Sequence, residues 1–212
     1  MPALAVSLLL ILAAYLLGSL SGSLLLGKLR GGVDIRTQGS GNAGGTNALR
    51  TQGWKFALGV VLIDVGKGAL AAWLGLRSGP DGGPLPGAML GYLTAFAATL
   101  GHVWPLWHGF RGGKGVGTLL GGLLVLWPLA VPWLLGAWLL VLVVTGYVGL
   151  ASVLAVACLV PLAWLTGTGQ ACRWFMVAAA LLVLFTHRGN LQRLRAGSES
   201  RFERVRLLRR RA

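Results

Sequence analysis

The residues able to do chemistry gather in three polar stretches of an otherwise apolar chain. The first is D-I-R-T-Q-G-S-G-N-A-G-G-T-N-A-L-R, Asp34 to Arg50. Gly39, Gly41, Gly44 and Gly45 alternate with Ser40, Asn42, Thr46 and Asn47, and Arg36 and Arg50 flank them. Glycines let successive backbone N–H groups point into one concavity, and such nests bind anions. Ser, Asn and Thr add neutral donors, and Arg adds a forked cation suited to phosphate. The stretch reads as a phosphate-binding loop at a membrane surface.

The second stretch is G-H-V-W-P-L-W-H-G-F-R-G-G-K-G-V-G-T, Gly101 to Thr118. Gly112, Gly113, Lys114 and Gly115 open a predicted helix. A helix start favours an anion, and Lys114 adds a full charge. A Walker A loop is excluded: His108 stands where its first glycine belongs, and Gly115 where its Ser or Thr belongs. Gly39 to Gly44 matches G-x-G-x-x-G, but no strand–helix–strand unit surrounds it, so a dinucleotide site is rejected. The third stretch holds His187, Arg188, Asn190 and Arg193. His187 is a candidate to orient or deprotonate a hydroxyl; an interfacial histidine near headgroups fits its position equally well.

The elements that must hold these groups are membrane helices. The chain has 212 residues, 55% hydrophobic and 11% charged. A soluble domain carries about 25% charged residues. One polytopic membrane domain over residues 1–212 is expected, with a basic cytoplasmic tail from about residue 188. Lys and Arg number 19 against five acids. The excess flanks apolar runs, so topology and anionic lipid explain it, and nucleic acid is not needed as a partner. Cys158 and Cys172 lack metal-ligand spacing and read as buried, inert thiols. No metal cluster and no cofactor motif is evident. The first apolar run has no basic residue before it, and reads as an uncleaved span rather than a signal peptide.

A spanning helix takes about 20 apolar residues. Residues 3–27, 54–76, 86–106, 148–166 and 171–186 meet that need approximately. The shorter runs 116–128 and 132–146, set apart by Pro128 and Pro132, read as two short spans or a re-entrant hairpin. The connection from Gly79 to Pro84 is rich in turn residues. The expected fold is thus an all-α integral membrane protein with seven transmembrane helices, two of them short. Lys28, Arg30, Arg36, Arg50, Lys55, Arg111, Lys114 and the nine tail arginines mark one side, with only Arg77 and Arg173 opposite. The N-terminus is therefore expected outside and the C-terminus in the cytoplasm. Within the second span, Asp64 and Lys67 are three residues apart and read as a structural ion pair rather than a catalytic acid. The tail Arg201 to Arg211 reads as a surface for anionic lipid.

Taken together, G-S-G-N-A-G-G-T-N-x-x-R, G-H-V-W-P…F-R-G-G-K-G-V-G-T and H-R-G-N…R-L…G-x-E resemble the bacterial acyl-phosphate:glycerol-3-phosphate acyltransferase family, over nearly the whole chain. The resemblance implies a multi-pass enzyme of the bacterial inner membrane with its site facing the cytoplasm. It implies acyl phosphate and glycerol 3-phosphate as substrates, with 1-acylglycerol 3-phosphate and phosphate as products. It also implies that the substrate's own phosphate assists proton removal. The acyl-phosphate head is assigned to Gly39, Gly41, Gly44, Ser40, Asn42 and Thr46 with Gly112, Gly113 and Gly115. Glycerol 3-phosphate is assigned to Arg50, Lys114, His187 and Asn190, and the two assignments are interchangeable. Ser40, Asn42, Lys114 and His187 are the expected catalytic set. A monomer suffices. The H-x4-D motif of other glycerolipid acyltransferases is absent. Gly149 stands where the family often has serine, Gly189 where it has glutamate, and Gly45 and Gly117 where it has alanine. A transporter for a phosphorylated metabolite is the rival class; the polar motifs gather on one face, against it.

Overall fold

The computed structural model describes residues 3–79 and 85–202. Residues 80–84 of the turn-rich connection lie outside that range, as does most of the arginine-rich tail. Among the described residues all regular structure is helical. The chain divides into two compact units, residues 1–128 and 129–212.

The first unit contains α1 (Ala3–Gly18), α2 (Gly22–Leu29), α3 (Gly45–Gln52), α4 (Trp54–Ser78), α5 (Gly87–Val103) and α6 (Val116–Leu126). Helix α4 is its centre and packs against each of the other five. Its crossing with α6 is close because Gly68 faces the Thr118 carbonyl and Gly121 faces the Val65 carbonyl; a Cβ at either would collide with backbone. Close backbone approach at small residues is the usual basis of helix association in lipid.

The first apolar run is not the single helix expected over residues 3–27. It breaks after Gly18 and resumes at Gly22, bent by 48°. The sequence Gly18-Ser-Leu-Ser-Gly22 supplies two glycines and two serines, which compete with the helical ladder. Ser19 Oγ donates to the Tyr15 carbonyl at 3.0 Å. The freed backbone groups find charged partners on α4. Lys67 Nζ donates to the Leu20 carbonyl at 2.9 Å, and the Gly22 N–H donates to Asp64 Oδ1 at 3.2 Å. In a bilayer an unsatisfied backbone group costs several kcal/mol, so these partners make the break tolerable. The polar stretch from Asp34 to Arg50 also holds more structure than its composition suggests. Ile35–Thr37 forms a 3₁₀ turn, and α3 begins at Gly45.

The second unit contains α7 (Ala130–Thr145), α8 (Val148–Leu165), α9 (Gln170–Thr186) and α10 (Arg188–Arg195). Helix α8 packs against α7 and α9, and α10 against α8 and α9. Pro161 lies inside α8. Helix α10 turns away from α9 by 54°. Among the described residues, two helices qualify alone as spans by length and apolarity, α4 and α8; four do if each bent pair counts as one. The shorter apolar helices α6 and α7 fall on the two runs read as a short pair.

Candidate functional site

The first glycine-rich loop is closed by Asn47. Its carboxamide oxygen accepts the Ser40 N–H at 2.9 Å, and its Nδ2 donates to the Ile35 and Gln38 carbonyls at 2.9 and 3.0 Å. The residue is buried, so three backbone groups of the loop are satisfied from one side chain. Gly39 and Gly41 take φ of 55° and 72°, the left-handed region that a Cβ disfavours. Ser23 Oγ, on α2, donates to the Ala43 carbonyl at 2.7 Å and ties the loop down. Ser40 and Gly41 present exposed positions, with Asn42, Gly44 and Thr46 half-buried.

This geometry changes which backbone groups are placed to meet an anion. The Ser40 N–H is held by Asn47 and the Gly41 N–H by the Gln38 carbonyl at 3.0 Å. The first bond of the α3 ladder runs from the Ala48 N–H to the Gly44 carbonyl. The N–H groups of Gly45, Thr46 and Asn47 therefore have no acceptor within the helix. A helix start of this kind can meet an anion, and that of α3 has Thr46 in its first turn and Arg50 in its last.

The second loop shows the same displacement. The Gly112 and Gly113 N–H groups donate to the Val103 and His102 carbonyls at 3.2 and 3.1 Å. Those two amides close the loop onto the end of α5 and do not form the nest expected from their glycine content. Gly113 is required by space: a Cβ there would strike the His102 imidazole. Gly115 caps α6 with φ 88°, and the Leu119 N–H donates to its carbonyl at 2.8 Å. The amides of residues 116–118 are thus the α6 start that can meet an anion, and Lys114 precedes them directly.

Arg36 joins the two loops. Its Nη1 donates to the carbonyls of His108 at 2.9 Å and Arg111 at 3.0 Å. Its Nε and Nη2 grip the Asp34 carboxylate, with Nη2–Oδ2 at 2.7 Å. Arg36 is a strut rather than a phosphate ligand. The Arg36 hydrogen bond holds the Asp34 carboxyl below its ordinary 3.8, against a smaller opposing effect of burial. Burial, and the Arg36 charge after it, push the His108 imidazole below 6.5. His108 Nε2 is enclosed without a hydrogen-bond partner among the described residues.

Beneath both loops lies a buried charged group. Lys67 Nζ meets Asp64 Oδ1, the Leu20 carbonyl and His102 Nδ1, each at 2.9 Å. An ammonium has three hydrogens and no acceptor, so all three are used and His102 Nδ1 must be the acceptor. The structural ion pair read from Asp64 and Lys67 is present. Its third member, His102, is 35 residues from Lys67 in sequence and was not legible as a partner. The sequence shows Asn47 only as one more loop donor, and its role as the loop's clasp appears in the fold; an Asn just inside a helix that follows a glycine-rich turn is the signal.

In the second unit His187 is 3% exposed and sits between α9 and α10. Its Nδ1 lies 2.8 Å from the Val183 carbonyl. A carbonyl only accepts, so Nδ1 carries the hydrogen and Nε2 is the acceptor nitrogen of the neutral ring. Asn190 Nδ2 donates to Glu199 Oε1, and Arg193 Nε donates to Glu199 Oε2 at 2.8 Å. Gly149 lies against the Asn190 side chain. The segment after α10 returns to the junction of α7 and α8, where the Phe202 N–H donates to the Gly146 carbonyl and Arg201 Nε to Tyr147 Oη. Among the described residues no group of three His, Cys, Asp or Glu could hold a metal ion.

A membrane protein whose regular structure is helical throughout the described residues, and whose polar loops lead into two helix starts with Lys114 and Arg50 beside them, is the class these features define. A family model described as glycerol-3-phosphate acyltransferase matches residues 8–197. A glycerol-3-phosphate acyltransferase of a Synechococcus strain is 43% identical over 196 residues, 92% of this chain and 94% of that protein. One from Symbiobacterium thermophilum is 43% identical over 187 residues, 88% of this chain and 90% of its own. The crystal structure of PlsY (YgiH), an integral membrane glycerol 3-phosphate acyltransferase in its glycerol 3-phosphate form, superposes with a TM-score of 0.85 at 34% identity. That match covers 92% of this chain and 95% of the other. Its lysophosphatidic acid form gives 0.83 at 33%, over 92% and 94%. The chain belongs to the glycerol-3-phosphate acyltransferase family, in its PlsY branch.

Proposed function

We propose that this protein transfers a fatty acyl group from acyl phosphate to the 1-hydroxyl of glycerol 3-phosphate, releasing 1-acylglycerol 3-phosphate and inorganic phosphate. The observation that carries the reading is the Arg36 strut, which brings two anion-receiving helix starts, α3 and α6, under one control. Two phosphate-bearing substrates need two such places. Acyl phosphate is a mixed anhydride, so its leaving group departs readily. What remains for the protein is to hold two phosphates and bring a hydroxyl to the carbonyl carbon. Positioning of this kind supplies roughly 7–11 kcal/mol in good cases.

In this reading Ser40, Asn42, Thr46 and the Gly39–Gly41–Gly44 loop receive one phosphate at the start of α3. Lys114 and Gly115 receive the other at the start of α6, with Arg50 near the first. Gly112 and Gly113 serve by letting the loop close on α5. His187 and Asn190 act on glycerol 3-phosphate, and the acceptor nitrogen Nε2 is the His187 atom suited to a substrate hydroxyl. As the ester C–O bond forms, the acyl carbon's bond to its phosphate oxygen breaks, the hydroxyl proton passes to a substrate phosphate oxygen, and the phosphate of the acyl phosphate leaves as inorganic phosphate. No metal or cofactor enters. The whole chain acts as one enzyme of the bacterial inner membrane, and a single copy suffices. Seven helices cross, the α1–α2 and α9–α10 pairs each counting once, with the polar loops cytoplasmic and the N-terminus outside.

The test gives the purified full chain palmitoyl phosphate and labelled glycerol 3-phosphate and counts the lipid product. Lys114→Ala and His187→Ala should each lower kcat/KM by about tenfold or more, roughly 1.4 kcal/mol of transition-state stabilisation. Wild-type rates in both folded variants would refute the site, and no lipid product from wild type would refute the reaction.

A further inference from the structure

We propose that Asp64, Lys67 and His102 are positioning residues: a buried charged joist that sets the two glycine-rich loops relative to each other and so tunes the grip on glycerol 3-phosphate. The inference rests on the acyltransferase reading above.

The three side chains are 4%, 5% and 3% exposed. A packed apolar trio would hold a helical bundle as well or better, because burying charge is costly. What apolar packing does not supply is direction. Lys67 sends one hydrogen each to the Asp64 carboxylate, the Leu20 carbonyl and the His102 ring. Asp64 Oδ1 also takes the Gly22 N–H. Both ends of the break between α1 and α2 are therefore fixed to α4.

From there two short paths reach the loops. Along α2, Ser23 is one residue past Gly22, and its Oγ holds the Ala43 carbonyl at 2.7 Å. Along α5, the His102 carbonyl holds the Gly113 N–H at 3.1 Å, and its ring fills the space a Gly113 side chain would need. Lys114 is the next residue. One charged group thus lies one residue from the fastening of the first loop and one residue from the cation of the second. Neither path depends on the Arg36 strut, which ties the same loops from their solvent side.

The experiment uses the full chain in lipid nanodiscs, with His102→Leu and His102→Asn. Asparagine keeps an acceptor oxygen for Lys67, and leucine does not. We expect His102→Leu to raise KM for glycerol 3-phosphate and lower kcat/KM about tenfold with kcat little changed, and His102→Asn to return within about threefold of wild type. The second readout needs no acyl donor: the rise in melting temperature on adding glycerol 3-phosphate should shrink in His102→Leu and return in His102→Asn. Folded His102→Leu with wild-type KM and an undiminished ligand-induced rise overturns the proposal. So does a loss shared equally by both variants. If His102→Leu does not fold, Gly113→Ala presses the loop off the ring with every charge intact, and a wild-type KM there overturns it. Wild-type protein that makes no lipid product at all sinks the acyltransferase reading instead, while the melting shifts still judge the joist.

Discussion

Gly149 and Gly189, the two glycines that the resemblance marks as departures, have different surroundings. A Cβ on Gly149 would come within 2.9 Å of the Asn190 Cβ, Cγ and Nδ2, so the Asn190 side chain must shift to admit it. Asn190 also donates to Glu199, which Arg193 holds as well. On Gly189 the nearest atom to a Cβ is Arg193 Nη1 at 3.6 Å, an ordinary contact. Glycine inside a helix costs about 1 kcal/mol relative to alanine. We therefore expect Gly189→Ala to stabilise the protein by up to about 1 kcal/mol in a denaturant titration, with kcat/KM unchanged within about twofold. Gly149→Ser should lower kcat/KM for glycerol 3-phosphate several-fold by moving Asn190. A Gly149→Ser enzyme that matches wild type would mean that Asn190 does not touch substrate from the position seen here.

The loops are legible in sequence as elements, but their donors are not. Glycine density marked where the chain turns, and Ser, Thr and Asn marked it as polar. Which amides face outward depended on which carbonyls lay nearby, and the His102 and Val103 carbonyls at the end of α5 claimed Gly112 and Gly113. Likewise the break at Ser19–Ser21 is written in small polar residues, yet its stability comes from Asp64 and Lys67, more than 40 positions further along the chain. The Arg36 strut makes the joined loops sensitive to acid. Asp34 titrates lower in the folded protein than its ordinary 3.8, so its contribution is complete above that value and is lost as pH falls through the lowered one. His108 is likewise lowered from 6.5, so its neutral ring favours the fold above that pH and its protonation below opposes the fold. Both act in one direction. Melting temperature measured from neutral pH down to about 3 should fall more steeply in wild type than in Asp34→Asn, which lacks the carboxylate throughout. Parallel curves would remove Asp34 from the account.

For the whole molecule, the apolar runs foretold the helices because lipid leaves few alternatives to a helix. Helices α4 through α9 begin and end close to the hydrophobic boundaries, whereas the first run, expected to be one span, is two pieces. Hydropathy does not register the break, since serine and glycine are mild on any such scale. Among the described residues, length and apolarity give two to four crossings, so the seven-crossing reading also counts the shorter apolar helices, and charge supplies only its orientation. In the seven-crossing reading, 16 of the 19 Lys and Arg fall in segments on one side, with Lys67 buried and only Arg77 and Arg173 opposite. That distribution makes a sharp statement about single cysteines introduced into a chain whose Cys158 and Cys172 have been replaced by alanine. Thr37→Cys and Ser198→Cys, both at exposed positions, should react with a membrane-impermeant maleimide only in inside-out vesicles. Thr166→Cys, exposed at the end of α8, should react only in right-side-out vesicles. An odd number of crossings between Thr37 and Ser198 would label those two from opposite faces, and the cytoplasmic assignment of the third polar stretch would fall with it.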